Sequence, residues 1–356
     1  MKEYKILVID PGSTSTKCGI YLNETPIITK SIKHTLDELT SFNGIPNQKE
    51  FRKKFVMDTI AESGIGLNEL DVVIGRGGLV KKISSGVYEI NPKMVKDALY
   101  DPYGQHACNL GPTIAYEIAQ EAGIKAYTAD PATMNDMPEV AQLTGLPEIR
   151  RVSTFHALNQ RAMARKYAEQ QGIPYKEMNL IVAHMGGGIS IGVHKNGQVI
   201  DVNNGLDGDG PFSPERAGSL PSMQMAELCY SGKYTLREMT NKIAGEGGIF
   251  AYIGTNDMLE VERRCLNGDE DAMLLSDAMS YNIGKWIGAS AAVLHGKVDA
   301  IILTGGIAYD KLVCDYITKM VSFIAPVVIM PGENELEALA MNAYRVMTGK
   351  IEPKVY

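Results

Sequence analysis

The sequence predicts an α/β chain of two similar domains, each opened by a strand, a glycine-containing turn and a second strand. Three observations carry this. Lys5-Ile6-Leu7-Val8-Ile9 runs through Asp10-Pro11-Gly12-Ser13-Thr14-Ser15-Thr16-Lys17 into the apolar Cys18-Gly19-Ile20-Tyr21. Leu180-Ile181-Val182-Ala183-His184-Met185 repeats the plan through Gly186-Gly187-Gly188 into Ile189-Ser190-Ile191-Gly192-Val193. Stretches of helical period fill the chain between such strand-like runs.

Taken in order, Phe51, Phe55, Val56 and Ile60 fall on one helix face, and Gly64 would stop that helix. Ala157 to Gln171 reads as a helix ended by Gly172. Lys195-Asn196-Gly197-Gln198 supplies an Asn-Gly hairpin turn before the strand-like Val199-Ile200-Asp201-Val202. Ala272 to Leu294 is a long apolar helix, with Gly284 and Gly288 available for close contacts and Trp286 in the core. Ala300-Ile301-Ile302-Leu303 is a third buried strand, leading into Thr304-Gly305-Gly306-Ile307-Ala308. A last helix spans Glu335 to Met347, stopped by Gly349. The two hairpins lie roughly 170 residues apart, a domain-scale duplication and not a solenoid repeat. The boundary is expected within Glu148 to Val152, giving domains 1–150 and 151–335, with 336–356 packing back on the first.

Composition removes several function classes. The 356 residues are 45% hydrophobic and 22% charged, as in ordinary globular proteins. A net charge of −7 argues against a nucleic-acid partner, which needs a basic surplus. Cys18, Cys108, Cys229, Cys265 and Cys314 are scattered without a C-x-x-C pair, so disulfides and structural zinc are not expected. No apolar run is long enough to span a membrane. The first residues enter a strand at once, unlike a secretory leader. A cytoplasmic setting is the expectation.

The glycine turns carry the chemistry. Asp10 ends a strand with a carboxylate able to hold Mg²⁺ directly or through water. Gly12 lets backbone approach a phosphate, the hydroxyls of Ser13, Thr14 and Ser15 can donate to it, and Lys17 adds charge. Gly186-Gly187-Gly188 removes three side chains in a row, as a phosphate tail lying on backbone requires. Gly305-Gly306 could pass beneath an adenosine. Neither a Walker loop nor a Rossmann fingerprint occurs.

Further short motifs stand in a fixed order: Gly75-Arg76-Gly77-Gly78, Thr128-Ala129-Asp130-Pro131 with Met137-Pro138, Ser153-Thr154-Phe155-His156, Pro214-Glu215-Arg216-Ala217-Gly218, Ile253-Gly254-Thr255-Asn256-Asp257 and Pro331-Gly332-Glu333-Asn334-Glu335. With the loops, they resemble the acetate and butyrate kinase family over nearly the whole chain. The resemblance implies the actin-like ATPase (ribonuclease H-like) fold, two domains with a cleft between them, and at least a homodimer, with Ile283 to Leu294 a candidate contact. It implies transfer of phosphoryl from ATP to a small carboxylate, giving ADP and an acyl phosphate, with Mg²⁺.

On this resemblance Arg76, Asp130, His156, His184 and Arg216 are the catalytic set. Two anions must meet, so guanidinium groups that grip carboxylate or phosphoryl in bidentate fashion suit Arg76 and Arg216. His156 and His184 suit donation to the phosphoryl in flight. Asp130 is expected to orient an arginine or the metal, because an ionised substrate needs no general base. Nucleotide contacts are expected from Gly12, Ser13, Thr14, Ser15, Lys17, His184, Met185, Gly186, Gly187 and Gly188 to phosphates. Asp257, Met258 and Leu259 are expected near the ribose, and Gly305, Gly306, Ile307 and Asp310 near the base. Asp10 and Glu335 are the metal pair, with Glu337 the alternative if the motif is gapped. Arg76, Gly77, Gly78, His106 and Phe155 are the expected acid-binding residues. Gly77 and Gly78 replace bulkier apolar residues of acetate kinases, which tilts the expected acid to butyrate or isobutyrate. The competing expectations are an acetate or propionate kinase of the same fold and a non-catalytic actin-like nucleotide switch. His34, His194 and His295 carry no motif and read as structural or exposed.

Overall fold

The structure, a computed structural model, describes residues 2–100 and 104–356. It divides into two compact units, Met1–Asn135 with Asn334–Tyr356, and Asp136–Glu333. The division falls before the 148–152 boundary expected from sequence. Arg151 gives the physical reason: it donates to the carbonyls of Ala141 and Val202 and pairs with Asp201 at 2.8 Å, which ties the preceding segment to the second unit.

The first unit holds β1 (Lys5–Pro11), β2 (Ser15–Leu22), β3 (Thr25–Lys33), β4 (Val72–Arg76), β5 (Val87–Glu89) and β6 (Lys125–Ala129). With the short strand Lys354–Val355 they form one sheet, in the order Lys354–Val355, β5, β6, β4, β1, β2, β3. β1 is parallel to β4 and antiparallel to β2, and β4 is parallel to β6. Ile6, Leu7, Val8 and Ile9 are all fully buried, which explains their unbroken apolar run: a central strand is covered on both faces.

The second unit holds β7 (Leu180–Met185), β8 (Ile189–Lys195), β9 (Gln198–Val202), β10 (Ala300–Gly305) and β11 (Val327–Pro331), in the order β11, β10, β7, β8, β9. β7 is parallel to β10 and antiparallel to β8, and β10 is parallel to β11. The series β3-β2-β1-β4-β6 and β9-β8-β7-β10-β11 therefore match in order and direction, which is the duplication the two hairpins announced. Asn196 and Gly197 turn β8 into β9 with φ of 53° and 75°, the left-handed pair of a two-residue hairpin.

The helices fall close to their expected bounds: Lys49–Ser63, Ala157–Gln171, Glu270–Val293 and Glu335–Met347. Three details differ. The buried face of Lys49–Ser63 is Arg52, Val56, Thr59 and Ile60, with Phe51 and Phe55 half-buried. A Cβ on Gly284 would lie 2.4 Å from Met320 Sδ, so helix Glu270–Val293 does press on helix Lys311–Val321 there, but Gly288 faces open space. Trp286 is half-buried at the rim of the core, while Ile283, Ile287 and Ala291 point into it. Ile283, Ile287, Ala291 and Leu294 are thus used within the unit's own core, while Ala289, Ala292 and Val293 of the same stretch stay exposed.

Candidate active site

In the first unit the loop between β1 and β2 is closed by Gly12 N–H donating to Ser15 O at 2.8 Å. Arg52 holds it from inside. Its Nη1 donates to Gly12 O at 2.9 Å, Ser15 O at 2.7 Å and Thr16 Oγ1 at 3.0 Å, and its Nε and Nη2 donate to Gln48 Oε1. Arg52 is fully buried and its partners are neutral oxygens, so burial pushes its guanidinium below its ordinary pKa. Its five donors draw the loop carbonyls inward and leave Ser13 and Thr14 exposed at the tip. Sequence reasoning missed Arg52, because it sits in a run of charged residues that looks solvated.

His106 joins the same loop. Its Nδ1 accepts from Cys108 N–H at 3.2 Å, which leaves Nε2–H to donate to Ser13 Oγ at 3.0 Å. The structure thus puts this expected acid-binding residue on the β1–β2 loop.

Beside the loop, Arg76 Nη1 contacts Asp10 Oδ1 at 3.1 Å and Glu335 Oε1 at 2.8 Å. Lys17 Nζ lies 3.4 Å from Glu335 Oε2. Burial opposes ionisation of Asp10, but Arg76, a hydrogen bond with Glu335, and Lys17 outweigh it and hold Asp10 below the usual carboxylate range. Burial raises Glu335, and the adjacent Asp10 adds to this against the pull of Arg76 and Lys17. The pair's pKa values are thus driven apart, Asp10 down and Glu335 up. Glu335, not Glu337, is the residue brought to Asp10.

Asp130 follows β6 at φ 40°, in the left-handed region that Asp tolerates. Its N–H donates to Gly86 O at 3.0 Å and its Oδ1 accepts from Gly86 N–H at 2.9 Å. The glycines after Arg76 have a packing origin. A Cβ on Gly77 would lie 2.8 Å from Pro131 Cα, and one on Gly78 would lie 2.6 Å from Asn109 Cα. A side chain at either position would meet packed neighbours, so packing by itself accounts for both glycines.

In the second unit, His156 and His184 stack with ring centroids 3.9 Å apart and planes 13° apart. His184 Nδ1–H donates to Asn159 Oδ1 at 2.8 Å; the orientation of that amide is fixed because its nitrogen donates to Gly332 O. His184 Nε2 lies 3.2 Å from Glu333 Oε1. His156 Nδ1 lies 2.9 Å from Ser190 Oγ. Asn159 and Glu333 also escaped sequence reasoning, although Glu333 belongs to a quoted motif.

The glycine loop after β7 divides its work. A Cβ on Gly188 would lie 1.4 Å from Arg216 Nη1, so this glycine makes room for the guanidinium. Arg216 Nη1 donates to Gly205 O at 2.7 Å, and burial lowers its pKa more than Glu215 and Asp207 raise it. Gly186 and Gly187 instead line a cavity of about 510 Å³ with Asp257, Met258, Leu259, Gly306, Ile307 and Asp310. Pro214, Asn256, Glu262, Tyr309 and Glu333 complete the wall. Met185 does not reach it, because its side chain is in the core. Gly305, at φ 89°, is required by close approach to Met185 O, which its Cβ would meet at 2.3 Å. Phe155 is buried.

No helix among the described residues is long and apolar enough to cross a membrane. Comparison with known proteins places this architecture. The family model described as "Acetokinase family" matches residues 126–324. The chain is 50% identical over 354 residues to butyrate kinase 2 of Clostridium acetobutylicum, covering 99% of each chain. Among solved structures, the acetate kinase of Porphyromonas gingivalis superposes with a TM-score of 0.78 at 23% identity, over 97% of this chain and 99% of that one. The propionate kinase of Francisella tularensis gives a TM-score of 0.73 at 20% identity, over 95% of this chain and 98% of that one. The fold is accordingly the duplicated actin-like fold of these kinases. With half its residues identical along the full length of a family member, the chain belongs to the acetokinase family.

Proposed function

We propose that the protein transfers the γ-phosphoryl group of ATP to butyrate, giving butyryl phosphate and ADP. The observation that carries this reading is the 50% identity to butyrate kinase 2 over 99% of both chains. Isobutyrate, one branch different, falls within the same reading.

In the reaction a carboxylate oxygen attacks the γ-phosphorus, the bond to the β–γ bridging oxygen breaks, and ADP leaves with that electron pair. No proton has to be removed from the acid. Catalysis then consists of positioning and charge compensation. Arg76 and Arg216 offset the repulsion between carboxylate and phosphoryl. His156 donates to a phosphoryl oxygen, and His184, with its Nδ1–H committed to Asn159, stacks against that ring and holds it. Asp130 holds the Gly86 turn and so supports the segment beyond Arg76. The cavity beside Gly186 and Gly187 is of a size to take a nucleoside, with the phosphates along the glycine loop.

Asp10 and Glu335 fit Mg²⁺: they are two buried carboxyl groups in hydrogen-bond contact, a hard-oxygen pair whose mutual repulsion a divalent cation would relieve. Bound there, the ion would offset phosphate charge. A cytoplasmic setting and a homo-oligomer belong to the same reading.

Hydroxylamine trapping of acyl phosphate tests the reaction class. Purified protein with ATP, Mg²⁺ and butyrate should give hydroxamate in proportion to ADP. ADP release without hydroxamate for any short-chain acid would instead favour a nucleotide switch.

A further inference from the structure

We propose that Tyr175, His194, Gln160 and Ser190 form a one-way hydrogen-bond chain that holds His156 as its Nε2–H tautomer. Tyr175, His194 and Gln160 lie outside the motifs that mark the reaction, and Ser190 is a strand residue after the glycine turn. The link to catalysis rests on the proposed role of His156 at the phosphoryl; the tautomer assignment does not.

The chain is built by two elements of the second unit. Ser190, Gly192 and His194 alternate along one face of β8. Gln160 stands one turn beyond His156, at the start of helix Ala157–Gln171. Ser190, His194 and Gln160 are fully buried, so each polar atom needs a partner of the right polarity.

Direction follows from one fixed point. An atom of the Gln160 amide lies 2.9 Å from the backbone carbonyl of Ser190, and only its nitrogen can donate there. That Nε2 also donates to Ser190 Oγ at 2.8 Å. Gln160 Oε1 must then accept, which makes His194 Nε2, 3.2 Å away, the protonated nitrogen. His194 Nδ1 is left as an acceptor for Tyr175 O–H at 2.8 Å. At the other end, Ser190 Oγ receives from Gln160 and faces the backbone N–H of His156 at 3.4 Å. The acceptor within reach of its own hydrogen is His156 Nδ1 at 2.9 Å. His156 Nδ1 therefore carries a lone pair, and the ring's N–H is at Nε2.

Two independent observations support the chain. A Cβ on Gly192 would lie 2.1 Å from Gln160 Oε1 and 3.2 Å from His194 Nε2, so this glycine clears the space for the middle link. His194 must stay neutral for the chain to run one way. Burial pushes its pKa down to about 3, and Arg161 and Arg165, whose guanidinium carbons lie 5.8 Å and 5.9 Å from the Tyr175 ring, act in the same direction.

The consequence is a division of labour within the stacked pair. His184 has its proton fixed at Nδ1 by Asn159, whereas His156 presents N–H at Nε2 without becoming an imidazolium. Ser190, Gln160, His194 and Tyr175 are positioning residues.

The test is nitrogen NMR of the histidine-labelled full chain at a pH where the ring is neutral, with His156→Gln assigning the signal. Wild-type His156 should show a pyridine-type Nδ1 and a pyrrole-type Nε2. Ser190→Ala should mix the tautomers and lower kcat about 100-fold with KM for either substrate little changed, the pattern of misdirected geometry. Gly192→Ala should move both readouts the same way, and Tyr175→Phe should do so least. A pyrrole-type Nδ1 on wild-type His156 overturns the assignment, and needs no variant to fold. Mixed tautomers in Ser190→Ala with wild-type kcat overturn the link to catalysis. If the wild-type chain makes no acyl phosphate, the proposed function fails while the tautomer result stands.

Discussion

Arg76 bonds Glu335 at 2.8 Å, joining the end of β4 to the first turn of the last helix. The contact explains why the C-terminal helix belongs with the first unit, and it gives Arg76 a second duty. The guanidinium offsets Asp10 and Glu335, both carboxylates that burial has stripped of water.

Removing Arg76 should therefore cost stability as well as rate. Arg76→Ala leaves buried carboxylates without their counter-charge, a change that typically costs about 3–5 kcal/mol. Urea unfolding should show that loss, and Arg76→Ala combined with Asp10→Asn should recover part of it, because Asp10 is the carboxylate held ionised. Equal stability of wild type and Arg76→Ala would show that the carboxylates are neutralised by other means.

Arg52→Met should act through the phosphate loop. It takes the Arg52 donor from the half-buried carbonyl of Gly12, at roughly 1–3 kcal/mol for an unsatisfied group, and leaves Ser15 O with only the Gly12 N–H. The expected kinetic mark is a KM for ATP raised more than the KM for the acid. A variant with both KM values unchanged would confine Arg52 to folding.

The three loop glycines should respond differently to alanine. In Gly188→Ala the new methyl falls on Arg216 Nη1, so the guanidinium must move and kcat/KM should drop about 100-fold. In Gly186→Ala it meets the flexible end of Glu333 at 3.2 Å and should be tolerated far better. Parallel kcat/KM measurements decide, and equal losses would contradict separate roles.

Gly77→Ala and Gly78→Ala distinguish packing from pocket shape. The Gly77 methyl would press on the rigid ring and Cα of Pro131 and the Gly78 methyl on the backbone of Asn109, so both variants should lose stability without turning toward acetate. A shift of kcat/KM toward acetate in a stable variant would restore the idea that these glycines size the acid pocket.

His194 gives a pH dependence. Its folded pKa, pushed to about 3, lies below its ordinary 6.5, so between those values the unfolded chain binds more protons. Its contribution is complete above the ordinary value and is lost as pH falls toward the folded one, with a slope of about 1.4 kcal/mol per pH unit. Urea unfolding of His194→Gln through this acid range should be flatter than wild type by that slope. Identical slopes would mean that His194 is protonated in the fold.

Much of the architecture was legible in the sequence because periodicity and punctuation record it. Ile6 to Ile9 and Leu180 to Ala183 are apolar without interruption because they are central strands. Gly64 and Gly172 end helices with φ of 72° and 67° because left-handed caps favour glycine. The nucleotide-side residues Gly186, Gly187, Asp257 and Asp310 line one cavity because each follows a strand or caps a helix, and such positions carry turn chemistry. What could not be read depended on partners distant in sequence. Arg52 looks like any surface arginine until the loop folds over it. Gly77, Gly188 and Gly305 look like phosphate or substrate glycines, yet each answers to a specific neighbour. The boundary near residue 135 depends on Arg151 and Asp201, which no local pattern connects.

The most direct test is the ratio of kcat/KM values for acetate, propionate, butyrate, isobutyrate and valerate with ATP and Mg²⁺, read as acyl hydroxamate. The account predicts a maximum at butyrate or isobutyrate, falling about tenfold or less per carbon because each buried methylene contributes about 0.8 kcal/mol. A maximum at acetate, or no acyl phosphate from any of the acids, would contradict it.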